Sequence, residues 1–271
     1  MIDQKNTKLF SYGVSPNKLY DAYAIGRPVI TNVIGNINND QITGSTKDDI
    51  FEVKSAGAAD GDNIDGGGGT DTLKFSTGSH TLANDNFLKN IVELETNSSG
   101  STVVLTGQTD AFTITGGAGN DTLTGGAGND TFRVDSGSDT IVDLGGTAGG
   151  DSDVLIVSSG ATATISNVKS FTAGGTTANN SGTVEITTHT DGGTINMSSA
   201  SGDFTLNGQG NIDTLTGGSG SDTIAGGGGA DSLSGGTGDD DISGGAANDQ
   251  MTGGDGADTF RVAGGTDTVT D

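Results

Sequence analysis

From residue 217 onward an apolar side chain returns at every ninth position, as Ile224, Leu233, Ile242, Met251 and Phe260, and the positions between are glycine and small or polar residues. A lone apolar residue at that interval fits neither the 3.6-residue period of a helix nor the strict alternation of a half-buried strand. Set out in nines, residues 217–261 read GGSGSDTIA, GGGGADSLS, GGTGDDDIS, GGAANDQMT and GGDGADTFR. The frame is G-G-x-G-x-D-x-U-x with U apolar, and one block carries Ala247 at the third glycine of the frame. Six residues of this kind predict a sharp turn, because glycine reaches backbone angles closed to other residues. The remaining three predict a minimal strand with U pointing inward.

The frame recurs elsewhere. Two blocks occupy 116–133 (GGAGNDTLT, GGAGNDTFR) and one occupies 66–74 (GGGGTDTLK). Weaker copies keep Asp213 with Leu215, Asp267 with Val269, Asp139 with Ile141 and Asp62 with Ile64. Earlier still, GNINNDQIT and GSTKDDIFE keep Asp40 with Ile42 and Asp49 with Phe51, and four extra residues separate them from the next block. Two nonapeptides make one flattened coil of 18 residues with a turn on each side. The stretches 71–115 and 153–206 are different: they are rich in Thr, Val and Ile and resemble each other, DTLKFSTGS against DVLIVSSGA and STVVLT against GTVEITT. They read as wider coils of the same solenoid with an aliphatic core. The expected fold is all-β, a right-handed parallel β-roll or β-helix solenoid. Its expected segments are an N-terminal arm or cap at 1–34, degenerate repeats at 35–74, a spacer at 75–115, repeats at 116–143, a spacer at 144–206 and a β-roll at 207–271.

Composition sharpens this. Only 30% of the 271 residues are hydrophobic, 4% are aromatic and 50 are glycine, which excludes an ordinary compact core. Acidic residues number 35 against 11 basic ones, for a formal charge of -24, and that charge repels nucleic acid and anionic lipid. Glutamate occurs only at 52, 93, 95 and 185, so the other acids are all aspartate. A generic solubilising surface would use both. Cysteine is absent, which removes disulfides, zinc–thiolate sites and thiol catalysis. The longest aliphatic runs are as short as VLIV at 154–157, which reads as a fully buried strand and is far too short to span a membrane. The first residues lack the apolar region of a cleavable signal.

The spacing also points to a metal. Residues 18 apart stack, which puts Asp213, Asp231, Asp249 and Asp267 in one column and Asp222, Asp240 and Asp258 in the opposite one. Carboxylates about 4.8 Å apart repel unless a cation sits between them. Ca²⁺ suits best, because it takes six to eight oxygens in irregular geometry and uses the carbonyls that a Gly-rich turn exposes.

These blocks resemble the calcium-binding nonapeptides of the RTX (repeats-in-toxin) family, whose repeats build a parallel β-roll. The resemblance implies multiple Ca²⁺ ions, disorder without calcium, and type I secretion to an extracellular, cell-surface or matrix location. Carried onto this chain, it makes ligands of the sixth-position residues Asp40, Asp49, Asp62, Asp71, Asp121, Asp130, Asp139, Asp213, Asp222, Asp231, Asp240, Asp249, Asp258 and Asp267. No H-E-x-x-H, G-x-S-x-G, Walker A or G-x-G-x-x-G motif occurs. His80 and His189 lie among Ser and Thr and read as surface residues, so no catalysis is expected. Residues 1–34 hold Tyr12, Tyr20, Tyr23, Pro16 and Pro28, and they read either as a cap or as an arm that docks on a neighbouring subunit. The sequence stops inside a repeat, which suggests either a fragment or an open edge that meets another copy.

The functional expectation is a secreted, calcium-dependent structural protein that self-assembles into a surface layer or matrix fibre. Its partners would be other copies of itself and cell-surface polysaccharide held through calcium, with no nucleic acid and no membrane insertion. The alternatives are a calcium-folded adhesin module and the RTX tail of a larger secreted enzyme or toxin.

Overall fold

The computed structural model describes residues 20–21, 30–33, 41–53, 63–76, 78–82, 88–97, 99–145 and 151–271. All paired strands among them are parallel, and the described residues contain no helix. A ten-stranded sheet runs from Gly78–Thr81 to Thr259–Arg261, and an eight-stranded sheet runs from Ile30–Val33 to Ala178–Asn179. A four-stranded sheet (Tyr20–Asp21 to Leu88–Lys89) and a six-stranded one (Ser170–Thr172 to Thr268–Thr270) complete the walls. Each strand pairs with strands one coil away rather than with its chain neighbour, which makes the chain a β-solenoid.

Coil length follows the sequence. Thr205 pairs with Thr223, Thr223 with Asp241 and Asp241 with Thr259, each 18 residues on. On the opposite wall Thr214, Ser232, Gln250 and Thr268 keep the same interval. Thr113–Thr131 and Thr122–Thr140 do so in the middle of the chain. Elsewhere the coils widen: Thr131 pairs with Val154, Thr140 with Thr164, and Ser170 with Thr194. The extra residues in a wide coil form an additional strand, and there the walls change over. Ser170–Thr172 pairs forward with Thr194–Asn196, while Ala178–Asn179 pairs back with Val154–Val157.

The core is a set of apolar columns. Leu206, Ile224 and Ile242 stack on one wall and Ile195, Leu215, Leu233 and Met251 on the other, all buried. One aliphatic side chain per nine residues is little apolar burial to set against the ordering of a Gly-rich chain. The wider coils bury more, with Val157, Ile165, Val168, Phe171, Val184 and Ile186 inside.

Two expectations need correction. The run Val154–Val157 is half-buried rather than fully buried: Leu155 and Val157 face the core, while Val154 and Ile156 face outward on a wall open to solvent. His80 is not a surface residue. It is fully buried, its ring stacks against Phe75 with centroids 4.8 Å apart, and its Nε2 lies 3.1 Å from the Ser76 carbonyl oxygen. The scarcity of glutamate has a structural counterpart. Glu52, Glu93, Glu95 and Glu185 all lie on strands, whereas the buried acids of the turns are all aspartate.

Candidate metal centres

The turns starting at Gly217, Gly226, Gly235, Gly244 and Gly253 each begin with a glycine that a larger residue could not replace. A Cβ on Gly226 would stand 2.5 Å from Asp231 Oδ2 and 2.5 Å from the Gly244 carbonyl oxygen, so the bare Cα leaves an oxygen-lined space. The turn then needs left-handed backbone, with φ of +96° at Gly227 and +137° at Gly229, conformations that glycine adopts without a steric penalty. The aspartate follows, held by its short side chain against the turn.

These aspartates form a continuous ladder. The Asp213 N–H donates to Asp231 Oδ1 at 2.8 Å, and the Asp231 N–H donates to Asp249 Oδ1 at 2.9 Å. The Asp249 N–H donates to Asp267 Oδ1 at 3.0 Å, which completes one column. On the other side, the Asp222 N–H bonds Asp240 Oδ1 at 2.7 Å and the Asp240 N–H bonds Asp258 Oδ1 at 2.9 Å. Farther up the chain, the Asp121 N–H bonds Asp139 Oδ1 at 2.9 Å and the Asp49 N–H bonds Asp71 Oδ1 at 2.7 Å. Asp130 Oδ1 accepts the Phe112 N–H at 2.8 Å. Of the fourteen aspartates expected as ligands, Asp40 and Asp62 lie outside the described residues. The other twelve stand in this ladder, and Asp258 and Asp267 are half-buried at its end.

The second carboxylate oxygen carries the chemistry. In Asp71, Asp121, Asp139, Asp231, Asp240, Asp249 and Asp258, Oδ2 is buried with no hydrogen-bond donor. A buried carboxylate oxygen left in this way costs free energy until a proton or cation reaches it. Backbone N–H groups fill the role at Asp213, whose Oδ2 accepts from Gln209 at 3.0 Å, and at Asp222, whose Oδ2 accepts from Gly218 at 2.8 Å. Beside Gly116, the Oδ2 atoms of Asp121 and Asp139 from successive coils both approach the space a Cβ would fill. Among the described residues no three His, Cys, Asp or Glu side chains converge on one point. A cation in these turns would therefore be held by one or two carboxylates together with backbone carbonyls. That all-oxygen donor set fits Ca²⁺ and not zinc, which takes nitrogen and sulfur ligands in a tetrahedron.

Titration reflects the same burial. Desolvation pushes Asp130 and Asp139 up to about 7, with the neighbouring carboxylates of Asp153 and Asp121 adding to the rise and backbone N–H bonds opposing it. Burial likewise lifts Asp71 and Asp222 to about 6. Asp121, Asp231 and Asp240 are raised for the same first reason.

The nine-residue frame misses two buried acids. Asp153 Oδ1 accepts the Asp130 N–H at 2.9 Å and its Oδ2 accepts the Gly145 N–H at 2.7 Å, so it continues the column across a 23-residue coil. The inserted residues put Asp153 out of register. The likeness of DVLIV to DTFRV, with an apolar residue two places after the Asp, was the available signal. Asp143 accepts the Gly125 and Gly126 N–H groups at 2.9 and 2.7 Å. Both carboxylates are satisfied by backbone donors, and they act as latches.

A parallel β-solenoid whose Gly-rich turns present stacked aspartates and carbonyls to one another is a β-roll of the calcium-binding kind. The model of the RTX calcium-binding nonapeptide repeat matches residues 113–141, 207–242 and 234–269, in four copies. The chain therefore carries RTX repeats in those stretches, and the ladder at Asp49 and Asp71 extends the same geometry beyond them. No curated protein matches the chain.

Proposed function

We propose that the protein is a secreted, calcium-dependent building material that folds on meeting Ca²⁺ outside the cell and assembles with further copies into a surface layer or matrix fibre. The observation that carries this reading is the distribution of donor-free Oδ2 atoms, which recur from Asp71 to Asp258 along the solenoid rather than gathering at one place. Cations placed there would be part of the scaffold itself, and binding them would supply folding free energy. The resident cation would neutralise stacked carboxylates, and affinities in the extracellular range of roughly 10⁻⁴ to 10⁻³ M would keep the chain unfolded where calcium is scarce.

Assembly draws support from an uncharged column on one outer wall. Ser170, Thr194, Thr214, Ser232, Gln250 and Thr268 form one exposed column across successive coils. Two molecules of charge -24 repel least through such a face. The test is a calcium titration of the purified chain followed by far-UV circular dichroism and light scattering. A β signal and large ordered particles should arise together above a calcium threshold and vanish with chelator. A β signal in a chain that stays monomeric would favour the adhesin or enzyme-tail reading, and no response to calcium would remove all three.

A further inference from the structure

The fifth position of the nonapeptide, unconstrained in the frame, makes a second inter-coil bond that runs opposite to the first. Asp239 Oδ1 accepts the N–H of Ala257 at 2.9 Å, Asn248 Oδ1 that of Thr266 at 2.8 Å, and Asp203 Oδ1 that of Ser221 at 2.8 Å. Asn120 with Ser138 (3.2 Å), Asn129 with Ser152 (2.8 Å) and Asp48 with Thr70 (2.8 Å) repeat it. The sixth-position Asp reaches back to the preceding coil, and its neighbour at position five reaches forward to the next. Between 239–240 and 257–258 both bonds are made, so the two turns are clamped in both directions. Asp213 and Asp231 follow Ile212 and Ala230, which have no side-chain acceptor, so those turns make the backward bond alone.

The forward bond bears on the metal through peptide geometry. The N–H of Ala257 and the carbonyl of Gly256 belong to one planar trans peptide and point in opposite directions. Fixing the N–H therefore aims the carbonyl of the fourth-position glycine, the residue with the most backbone freedom in the turn; φ is +150° at Gly256. Orienting a carbonyl before a cation arrives removes part of the ordering cost of binding.

We propose that the residue at position five sets the calcium affinity of the turn one coil on. Turns one coil on from Asp or Asn at this place, as at 239 and 248, fill at lower calcium than those one coil on from Ile212 and Ala230. Asp239 is a positioning residue here, acting through the backbone. The inference rests on the calcium reading above.

The experiment is hydrogen exchange on the full chain across a calcium titration, resolved to peptides around residues 226–258. Asp239→Ala should raise the calcium midpoint for its junction about fivefold, the size of a lost capping bond. Asp239→Asn keeps the Oδ1 acceptor without the charge and should hold the wild-type midpoint. Ala230→Asn supplies an acceptor for the Asn248 N–H and should lower the midpoint around 230–249. If Asp239→Asn loses as much as Asp239→Ala, charge rather than the clamp sets affinity and the proposal fails. It also fails if Ala230→Asn leaves the midpoint unchanged, and this arm decides even if Asp239→Ala does not fold. A wild-type chain that gains no protection at any calcium concentration overturns the calcium reading and this inference together.

Discussion

The roll at 205–270 and the wide coils at 154–204 stack parallel strands in the same way but join their coils by different chemistry. In the roll, aspartates bridge successive turns, and four of them leave an Oδ2 buried without a donor. In the wide coils a neutral amide does comparable work. Asn179 Nδ2 donates to the Gly182 and Asp203 carbonyls at 3.2 and 2.5 Å, and its Oδ1 accepts the Gly182 N–H at 2.8 Å. That side chain is satisfied within the protein, and the coils around it bury Phe171, Val184 and Ile186. Asn179 is thus completed by the polypeptide itself, while the roll has a carboxylate oxygen set that a cation would complete.

Removing calcium should separate the two regions most widely. With chelator, amides on the strands Thr223–Gly228, Ser232–Thr237 and Asp241–Ala246 should exchange within the dead time, while those of Thr162–Val168 and Thr183–Thr188 keep measurable protection. Hydrogen exchange with and without calcium reads this directly. Uniform loss across both regions would mean that the aliphatic coils depend on the roll.

Single substitutions sharpen the contrast. Phe171→Ala removes a fully buried ring and should cost about 3–5 kcal/mol at any calcium concentration. Asp231→Ala should act through calcium. It strands the Asp213 N–H, costing about 1–3 kcal/mol, and it removes a carboxylate from the column, so the calcium midpoint of the roll should rise. Asp151→Ala, outside the ladder, should change little. Denaturant melts of the three variants at low and saturating calcium check this, and equal effects at Asp231 and Asp151 would break the stacking account.

Much of this contrast was legible in the sequence, because a strict nine-residue period leaves one way to place Asp and U in every turn. The ladder from Asp213 to Asp267 follows from counting. Counting fails where coils vary in length: Asp153 and Asp143 fell out of frame once residues were inserted, although the backbone still used them. His80 was misread because its Ser and Thr neighbours suggested solvent, whereas the alternation of Gly78–Thr81 turns its ring inward onto Phe75. The role of position five was hidden for another reason. Asp, Asn, Ser, Ala and Thr all occur there, and only register shows which of them meets an N–H one coil on.

Protonation offers a weaker substitute for the cation. Folded-state values of about 7 at Asp130 and Asp139, and about 6 at Asp71 and Asp222, lie above the ordinary 3.8, so the folded chain binds protons that the unfolded chain releases. The calcium-free fold should therefore gain stability as pH falls from about 7 towards 4, and it should lose that gain as pH rises through 6 to 7. With calcium bound the sign reverses, because protons compete for the same oxygens. Circular dichroism of the chelated chain at pH 4.5 and 7.5 decides the point. A calcium-free β signal that fails to grow on acidification would mean that the buried carboxylates do not limit folding.

The smallest expected effect is a gain inside the roll. Ala247 holds φ at +84° in the place where Gly229, Gly238 and Gly256 stand in the neighbouring blocks. A left-handed alanine costs about 1–2 kcal/mol. Replacing it with glycine relieves that strain but loosens the unfolded chain by about 0.4–1 kcal/mol. The strain term is the larger, so Ala247→Gly should stabilise the calcium-loaded roll by about 0.5–1 kcal/mol, visible as a small rise in melting temperature. Because the strain lies in the backbone of Ala247 itself, the gain should persist at saturating calcium. A gain that disappeared there would place the strain in the calcium-free state and make Ala247 a determinant of metal affinity instead.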